Sequence, residues 1–334
     1  MRVGIFGYGL AGRVFHAPLA KLAGFEVVGI QTTNSERIAQ AKSDFPEAII
    51  CSNASELLSH NLDLVIVASV NTAHEANAKA AIDAGVAVVV DKPMAPTLSG
   101  TRELFNYAQS KNVPITVFFN RLWDSDTLTI KEILKSNPEI IGKPHRFDGR
   151  FERFRPDLNS QSWREQSSAQ QGGGLLLDLQ SHLISTAIDC FGSAKLKYAH
   201  VNSVRGASDD DVLLVLEHES GVVSSLAASA ISGATGPRVR LLGDKGALVI
   251  DKLDLQEDLL RAGGYSDGEK RSHVELHQGD MVTKVEAVPG NYVDFYIKMR
   301  KFLEGNGELP VSKNLALQVA EIIEQARHFQ EHSK

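Results

Sequence analysis

Cysteine is nearly absent from this 334-residue chain: Cys51 and Cys190 are the only two, and neither has a partner at metal-ligand spacing. Two free thiols in a reducing, cytoplasmic setting are therefore expected, not a disulfide framework. An excess of basic residues is lacking too. Lys and Arg number 35 against 41 Asp and Glu, a formal charge of −6, which leaves no electrostatic footprint for nucleic acid. No apolar run approaches the roughly 18 residues that a membrane-spanning helix needs. The opening "MRVGIFGYG" enters a strand pattern at once and predicts no signal peptide. Internal repeats and low-complexity tracts are missing as well. What remains is an ordinary globular composition, 43% apolar and 23% charged, in a chain too long for one typical core. Two domains are expected, with neither a membrane nor a nucleic acid as partner.

The first 120 residues alternate short apolar runs with helical patterns over 35–44, 54–60, 73–84 and 98–111. "DLVIVAS" and "VAVVV" are continuously apolar, as strands of a parallel sheet covered on both faces are. The alternation predicts an α/β fold, a doubly wound Rossmann-type domain over residues 1–121. Beyond it the texture changes. A helix over 126–136 precedes "HRFDGRFERFR", and residues 195–253 hold strand-like runs separated by "ESG", "SGATGP" and "GDKG", so consecutive runs should pair antiparallel. Residues 254–290 are too polar to assign, and 291–330 carry two amphipathic helices. Residues 122–334 therefore read as an α+β domain with a large open, mainly antiparallel sheet. Its uncovered face makes a homodimer or homotetramer the expected assembly.

Three motifs carry chemistry. "GYGLAG" supplies Gly7, Gly9, Leu10, Ala11 and Gly12 between the first strand and its helix, the setting a dinucleotide fingerprint requires. Gly7 permits the tight turn, Gly9 the approach of a pyrophosphate, and Gly12 close helix–strand packing. The second strand ends on Gln31, where an NAD site usually shows an acid. Thr32, Thr33 and Arg37 could donate to a 2′-phosphate, so the cofactor is NADP or NAD with a lean to NADP; alternatively these residues only cap the next helix. The second motif, "VAVVVDKP", places Asp91 and Lys92 at the carboxyl edge of the sheet, where ligands of such sheets bind. Pro93 restricts the Lys92 backbone.

The third motif is "GGGLLLDLQSHLI", residues 172–184, a helix apolar nearly all round and so buried. Asp178, His182, Ser185 and Asp189 form its narrow polar stripe. His182 can be a core histidine satisfied by Asp178, half of a metal pair, or a general base oriented by a carboxylate. The metal reading finds no third ligand at a recognisable spacing. The pairs His273/His277 and His328/His332 lie in polar segments and read as solvated.

Taken together, the glycine fingerprint, the acid-Lys-Pro edge and G-G-x-x-x-D-x-x-x-H resemble the glucose–fructose oxidoreductase/inositol dehydrogenase family over the whole chain. "GYGLAGRVFHAPL", "FNRLWDSDTLTIK", "RFERFRP" and "WRE" resemble its NADP-linked scyllo-inositol dehydrogenase branch. The chain departs from the family in Asp91, where Glu is usual. It departs again in a loop of Ser69, Val70, Asn71 and His74 that lacks the family's proline, and in Asn34, where that branch often has Arg. The resemblance implies that Lys92, Asp178 and His182 are catalytic and touch substrate, with no metal. It also implies that Ser69, Asn71, His74, Asp91, Lys92 and Asn120 join the glycine loop in holding the cofactor. Arg121, Arg153, Arg155, Trp163 and Arg164 are candidates for the substrate pocket, Arg153 and Trp163 foremost. The expected reaction is NAD(P)-dependent oxidation of a secondary alcohol on a small polyol or sugar, with an inositol as one candidate. Relatives of this kind include NAD-dependent glycosidases and non-catalytic cofactor sensors; a sensor needs only the glycine loop, not Lys92, Asp178 and His182 together.

Overall fold

The computed structural model describes residues 1–158, 172–206, 208–264 and 273–329. The chain divides into two compact units. The first holds Met1–Asn120, a short segment from Glu257, and Tyr292–Ala316. Its strands are β1 (Arg2–Phe6), β2 (Glu26–Gln31), β3 (Ile49–Cys51), β4 (Leu64–Val67), β5 (Ala87–Asp91) and β6 (Ile115–Phe118). They lie in the order β3-β2-β1-β4-β5-β6 with every pair parallel. Leu64–Val67 and Val88–Val90 are wholly buried, as continuous apolar runs covered on both faces must be. Strand order reverses between β1 and β4, so the ligand crevice of such a sheet lies outside their carboxyl ends.

Helices Ser35–Asp44, Ala54–Leu58, His74–Asp83 and Leu98–Ser110 occupy the four expected segments. One local difference stands at the cradle: the helix after the glycine loop opens as a π-helical turn, Ala11–His16, before the regular turn Ala17–Leu22. Such wide turns are uncommon and cluster at functional sites. The chain also returns to this unit near its C-terminal end, which a single boundary at residue 121 does not provide for. There Phe295, on helix Val293–Leu303, packs edge-to-face on Phe118 with centroids 4.8 Å apart.

The second unit holds Arg121–Gln256, a later hairpin, and the chain from Leu317. Its strands are β7 (Pro144–Glu152), β8 (Ala194–Asn202), β9 (Asp211–His218), β10 (Val223–Ser229), β11 (Val239–Gly243), β12 (Ala247–Ile250), β13 (His273–Gln278) and β14 (Met281–Glu286). The sheet order is β14-β13-β12-β11-β7-β10-β9-β8. Neighbours β8/β9, β9/β10 and β11/β12 pair antiparallel as the turn signals predict. The next expected pair, β10 with β11, does not form. β7 lies between them, parallel to β10 and antiparallel to β11. The unassigned polar stretch contributes the hairpin β13–β14, whose second strand is exposed along most of its length.

The buried helix also differs in detail. It breaks at Leu179 into Leu175–Asp178 and Gln180–Phe191. The longer piece packs on β7, β9 and β10. Gln180, fully buried, donates from Nε2 to the Val212 carbonyl at 3.2 Å and the Leu226 carbonyl at 2.9 Å, which ties this helix to the sheet.

Candidate active site

In the first unit the glycine loop is built for close approach. Gly7 has φ +90°, and a Cβ there would stand 2.7 Å from the Ala68 carbonyl oxygen. A Cβ on Gly12 would stand 2.2 Å from the Gly7 carbonyl oxygen. No L side chain fits either position without a backbone shift. A Cβ on Gly9 meets only the Arg37 guanidinium, at 3.6–3.8 Å, so Gly9 leaves open the face over which Arg37 reaches. Leu10 is 46% exposed at the loop's rim. Below the loop, Tyr8 is buried and its hydroxyl donates to Asp44 at 3.1 Å, while Arg13 Nε donates to the same carboxylate at 2.7 Å. Burial first, then the Asp44 charge, pushes the Tyr8 hydroxyl far above its ordinary value.

The end of β2 separates two readings of its polar residues. Asn34, not a threonine, caps helix Ser35–Asp44 by accepting from the Arg37 backbone N–H at 3.0 Å. Thr32 is buried, with its N–H on the Cys51 carbonyl at 3.2 Å, whereas Thr33 and Arg37 are exposed. Their side chains are not spent on the cap. This edge of the cradle carries hydroxyl and guanidinium groups without a carboxylate at Gln31, a set of donors that suits a phosphate.

Beyond β4, Asn71 is 8% exposed, and Asn77 Nδ2 donates to the Ser69 hydroxyl at 3.0 Å. His74 is fully buried, its Nδ1 2.8 Å from the Pro93 carbonyl oxygen and its Nε2 3.1 Å from the Ser69 carbonyl oxygen. Burial lowers its pKa. Both neighbours are carbonyls that only accept, so the neutral ring donates one proton, from Nδ1 to the nearer Pro93 carbonyl, and packs its other edge against the Ser69 carbonyl. Asp91 ends β5, with Lys92 next to it at intermediate exposure. Burial opposes the Asp91 charge, but the facing His16 imidazole, then the Lys92 ammonium and the His74 ring, outweigh it and hold the carboxyl below the usual range. The ionised form therefore adds stability above the ordinary pKa of aspartate, which is lost as pH falls through the lower folded value. Asn120, 7% exposed, follows β6 and closes this set.

In the second unit the helix start is fixed by an acid the sequence reading passed over. Asp209 Oδ2 accepts the Leu176 N–H at 2.6 Å, and its backbone carbonyl accepts the Leu175 N–H at 2.9 Å. Gly174, at φ +90°, makes room for it: a Cβ there would lie 1.9 Å from Asp209 Oδ1. At least one of the three glycines therefore serves the helix cap. Burial raises the Asp209 carboxyl against the pull of these N–H groups. Replacing Asp209 with Ala should cost about 1–2 kcal/mol of stability through the lost cap, read as a shift of the denaturant midpoint; an unchanged midpoint contradicts it.

Asp178 has intermediate exposure and His182 is 6% exposed. The helix break falls between them, and of the expected polar stripe Ser185 is fully buried, its hydroxyl on the His182 carbonyl at 3.0 Å. The His182 ring lies 6.2 Å from Phe151 of β7. Over Phe151 stand two buried guanidinium groups, Arg238 at 3.8 Å and Arg121 at 5.4 Å from the ring centroid. Arg238 Nη1 donates to the Arg150 carbonyl at 2.6 Å, and Arg121 Nη1 to Asp124 at 3.3 Å. Arg121 is therefore an interior residue of this cluster, and Arg238 and Phe151 are members that the sequence reading missed. Arg153 has intermediate exposure, with its backbone N–H on the Ser229 carbonyl at 2.9 Å, and Arg155 is exposed. Trp163 and Arg164 lie outside the described residues.

Comparison with known proteins follows the same division. Residues 1–119 match the model of the oxidoreductase family with an NAD-binding Rossmann fold, and residues 127–249 match the GFO/IDH/MocA C-terminal domain. The chain belongs to this family. Like its relatives in the GFO/IDH/MocA family, it is an NAD(P)-dependent oxidoreductase. Over 97% of its length it is 36% identical to the oxidoreductase YdgJ of Escherichia coli, covering 94% of that protein. It is 31% identical to the scyllo-inositol 2-dehydrogenase (NADP(+)) IolW of Bacillus subtilis, over 98% of this chain and 92% of that one. The crystal structure of an oxidoreductase from Klebsiella pneumoniae superposes with a TM-score of 0.89 at 29% identity, over 100% of this chain and 94% of that chain.

Proposed function

We propose that the protein oxidises a secondary alcohol of a small polyol or sugar, an inositol foremost, with NADP preferred to NAD. One observation carries this reading. A chain with a complete dinucleotide cradle also carries a buried imidazole, His182, in an apolar helical segment four residues after a carboxylate, Asp178. The name of the relative IolW adds support for both the inositol and NADP.

Gly7, Gly9, Leu10, Ala11 and Gly12 would hold the pyrophosphate, with Thr32, Thr33 and Arg37 at the adenosine phosphate. Ser69, Asn71, Asp91 and Asn120 would hold the remainder of the cofactor. When bound, the nicotinamide supplies the hydride acceptor, or the donor in reduction. His182 takes the hydroxyl proton as the carbon is oxidised, a task an imidazole suits near neutral pH. Lys92 hydrogen-bonds the same oxygen and stabilises the negative charge it develops. Asp178 orients the imidazole or binds a neighbouring hydroxyl, and Arg153 and Trp163 contribute to the sugar pocket. Cytoplasmic location and a homodimer or homotetramer complete the reading. The assembly would form through the open sheet face, where Leu213 and Val223 are 36% and 38% exposed.

Arg37 tests the cofactor half of the proposal. A charge-assisted hydrogen bond to a 2′-phosphate is worth about 1.5–3 kcal/mol, so Arg37→Ala should raise KM for NADP by about 10–100-fold. KM for NAD should change little. Equal effects on both cofactors would remove Arg37 from the phosphate.

A further inference from the structure

Buried polar groups not used by the proposed chemistry converge on the segment Asp91–Lys92–Pro93. His16, the last residue of the π-helical turn, is fully buried. Its Nδ1 lies 2.5 Å from the Tyr296 hydroxyl, and its Nε2 faces Asp91 Oδ1 at 3.4 Å. Tyr296, also fully buried, comes from helix Val293–Leu303, 280 residues further along the chain. Burial, and then the Asp91 charge, raises the Tyr296 hydroxyl well above its ordinary value, so it stays a phenol with a proton to donate. The Asp91 carboxylate can only accept. Between a donor and an acceptor, one arrangement of the ring suits both neighbours. Nδ1 accepts from Tyr296, which leaves the Nε2–H on the side of Asp91, at 3.4 Å a charge contact and not a formed hydrogen bond.

The surroundings make this chain stiff. Phe118 packs on both rings, with centroids 4.5 Å from His16 and 5.8 Å from Tyr296, which keeps water out and strengthens the polar contacts. On the far side of Lys92, His74 holds the Pro93 carbonyl at 2.8 Å. The backbone is thus anchored immediately before and after Lys92. Left alone, a residue just past a strand end would wander over several positions.

We propose that His16 and Tyr296 are positioning residues: through the Asp91 carboxylate they fix where the Lys92 ammonium stands. The inference rests on the reading of Lys92 as the group that binds the reacting oxygen. Misplacement by about 1 Å can cost a factor near 10² in rate. Tyr296→Phe and His16→Phe should each lower kcat by about 10–100-fold, with a smaller change in KM for the polyol. His16→Gln, whose amide can still donate toward Asp91, should recover part of the loss. Thermal unfolding of each variant separates this from simple loss of packing. Losses of kcat that merely follow the melting temperature, with Gln no better than Phe, overturn the proposal.

A second readout needs neither substrate nor cofactor. Acylation of the free protein with acetic anhydride, mapped by mass spectrometry, should show a changed rate at Lys92 in His16→Phe and Tyr296→Phe, and unchanged rates at Lys131 and Lys197 of the second unit. An unaltered rate at Lys92 overturns the proposal whatever the protein catalyses. Should the wild type oxidise no polyol, the dehydrogenase reading fails, while the acylation pattern still decides the positioning role.

Discussion

Replacing His182 with Ala is expected to lower kcat by about 10²–10⁴ while leaving the protein folded. The loss follows from removing the imidazole to which the proposed mechanism assigns the hydroxyl proton. Two features allow a clean test. The ring is 6% exposed, so truncation opens a cavity and some stability is lost with it. Yet the helix is also held by Gln180 on two sheet carbonyls and by the Asp209 cap, neither of which involves the imidazole. His182→Asn fills most of the space but supplies no base. Kinetics and thermal unfolding measured on both variants distinguish the roles. Two slow, folded variants fit a base. A stable, active His182→Asn fits a core histidine and ends the catalytic assignment.

Lys92→Met is expected to lower kcat by about 10²–10³, the usual cost of losing one donor to a developing oxyanion. Methionine keeps much of the stem and none of the charge. Asp91 would then lose one of the charges that hold its carboxyl ionised, though His16 and His74 still face it. Cofactor affinity, read by quenching of protein fluorescence with NADPH, should therefore change far less than kcat. A fall in affinity as large as the fall in kcat would make Lys92 a cofactor ligand first and a catalyst second.

The sequence carried the parallel sheet of the first unit almost completely, though not the later segments that return to it. Continuous runs such as Leu64–Val67 can be buried only on both faces, and glycines at 7, 9 and 12 fit one kind of turn. The second unit was legible in its hairpins, because turn residues act locally. Its centre was not. β7 alternates Phe147, Gly149 and Phe151 with Arg146, Asp148, Arg150 and Glu152, so the period of two was present; the charges of the second set hid it, although Asp148 among them is buried. β13–β14 gave no amphipathic signal because β14 is exposed along most of its length. Asp178 and His182 could be picked out by their placement in an apolar helix. Asp209, Phe151, Arg238 and Tyr296 could not, since each meets its partners across a long stretch of chain and no spacing rule reaches that far.

Initial rates of NADPH and NADH formation across a panel of inositols and common sugars test the central claim most directly. Reduced cofactor is expected one-for-one with a keto product, from an inositol or a closely related polyol, and faster with NADP than with NAD. No reduced cofactor from any polyol, or cleavage of an aryl glycoside with cofactor needed only in trace amounts, would contradict it.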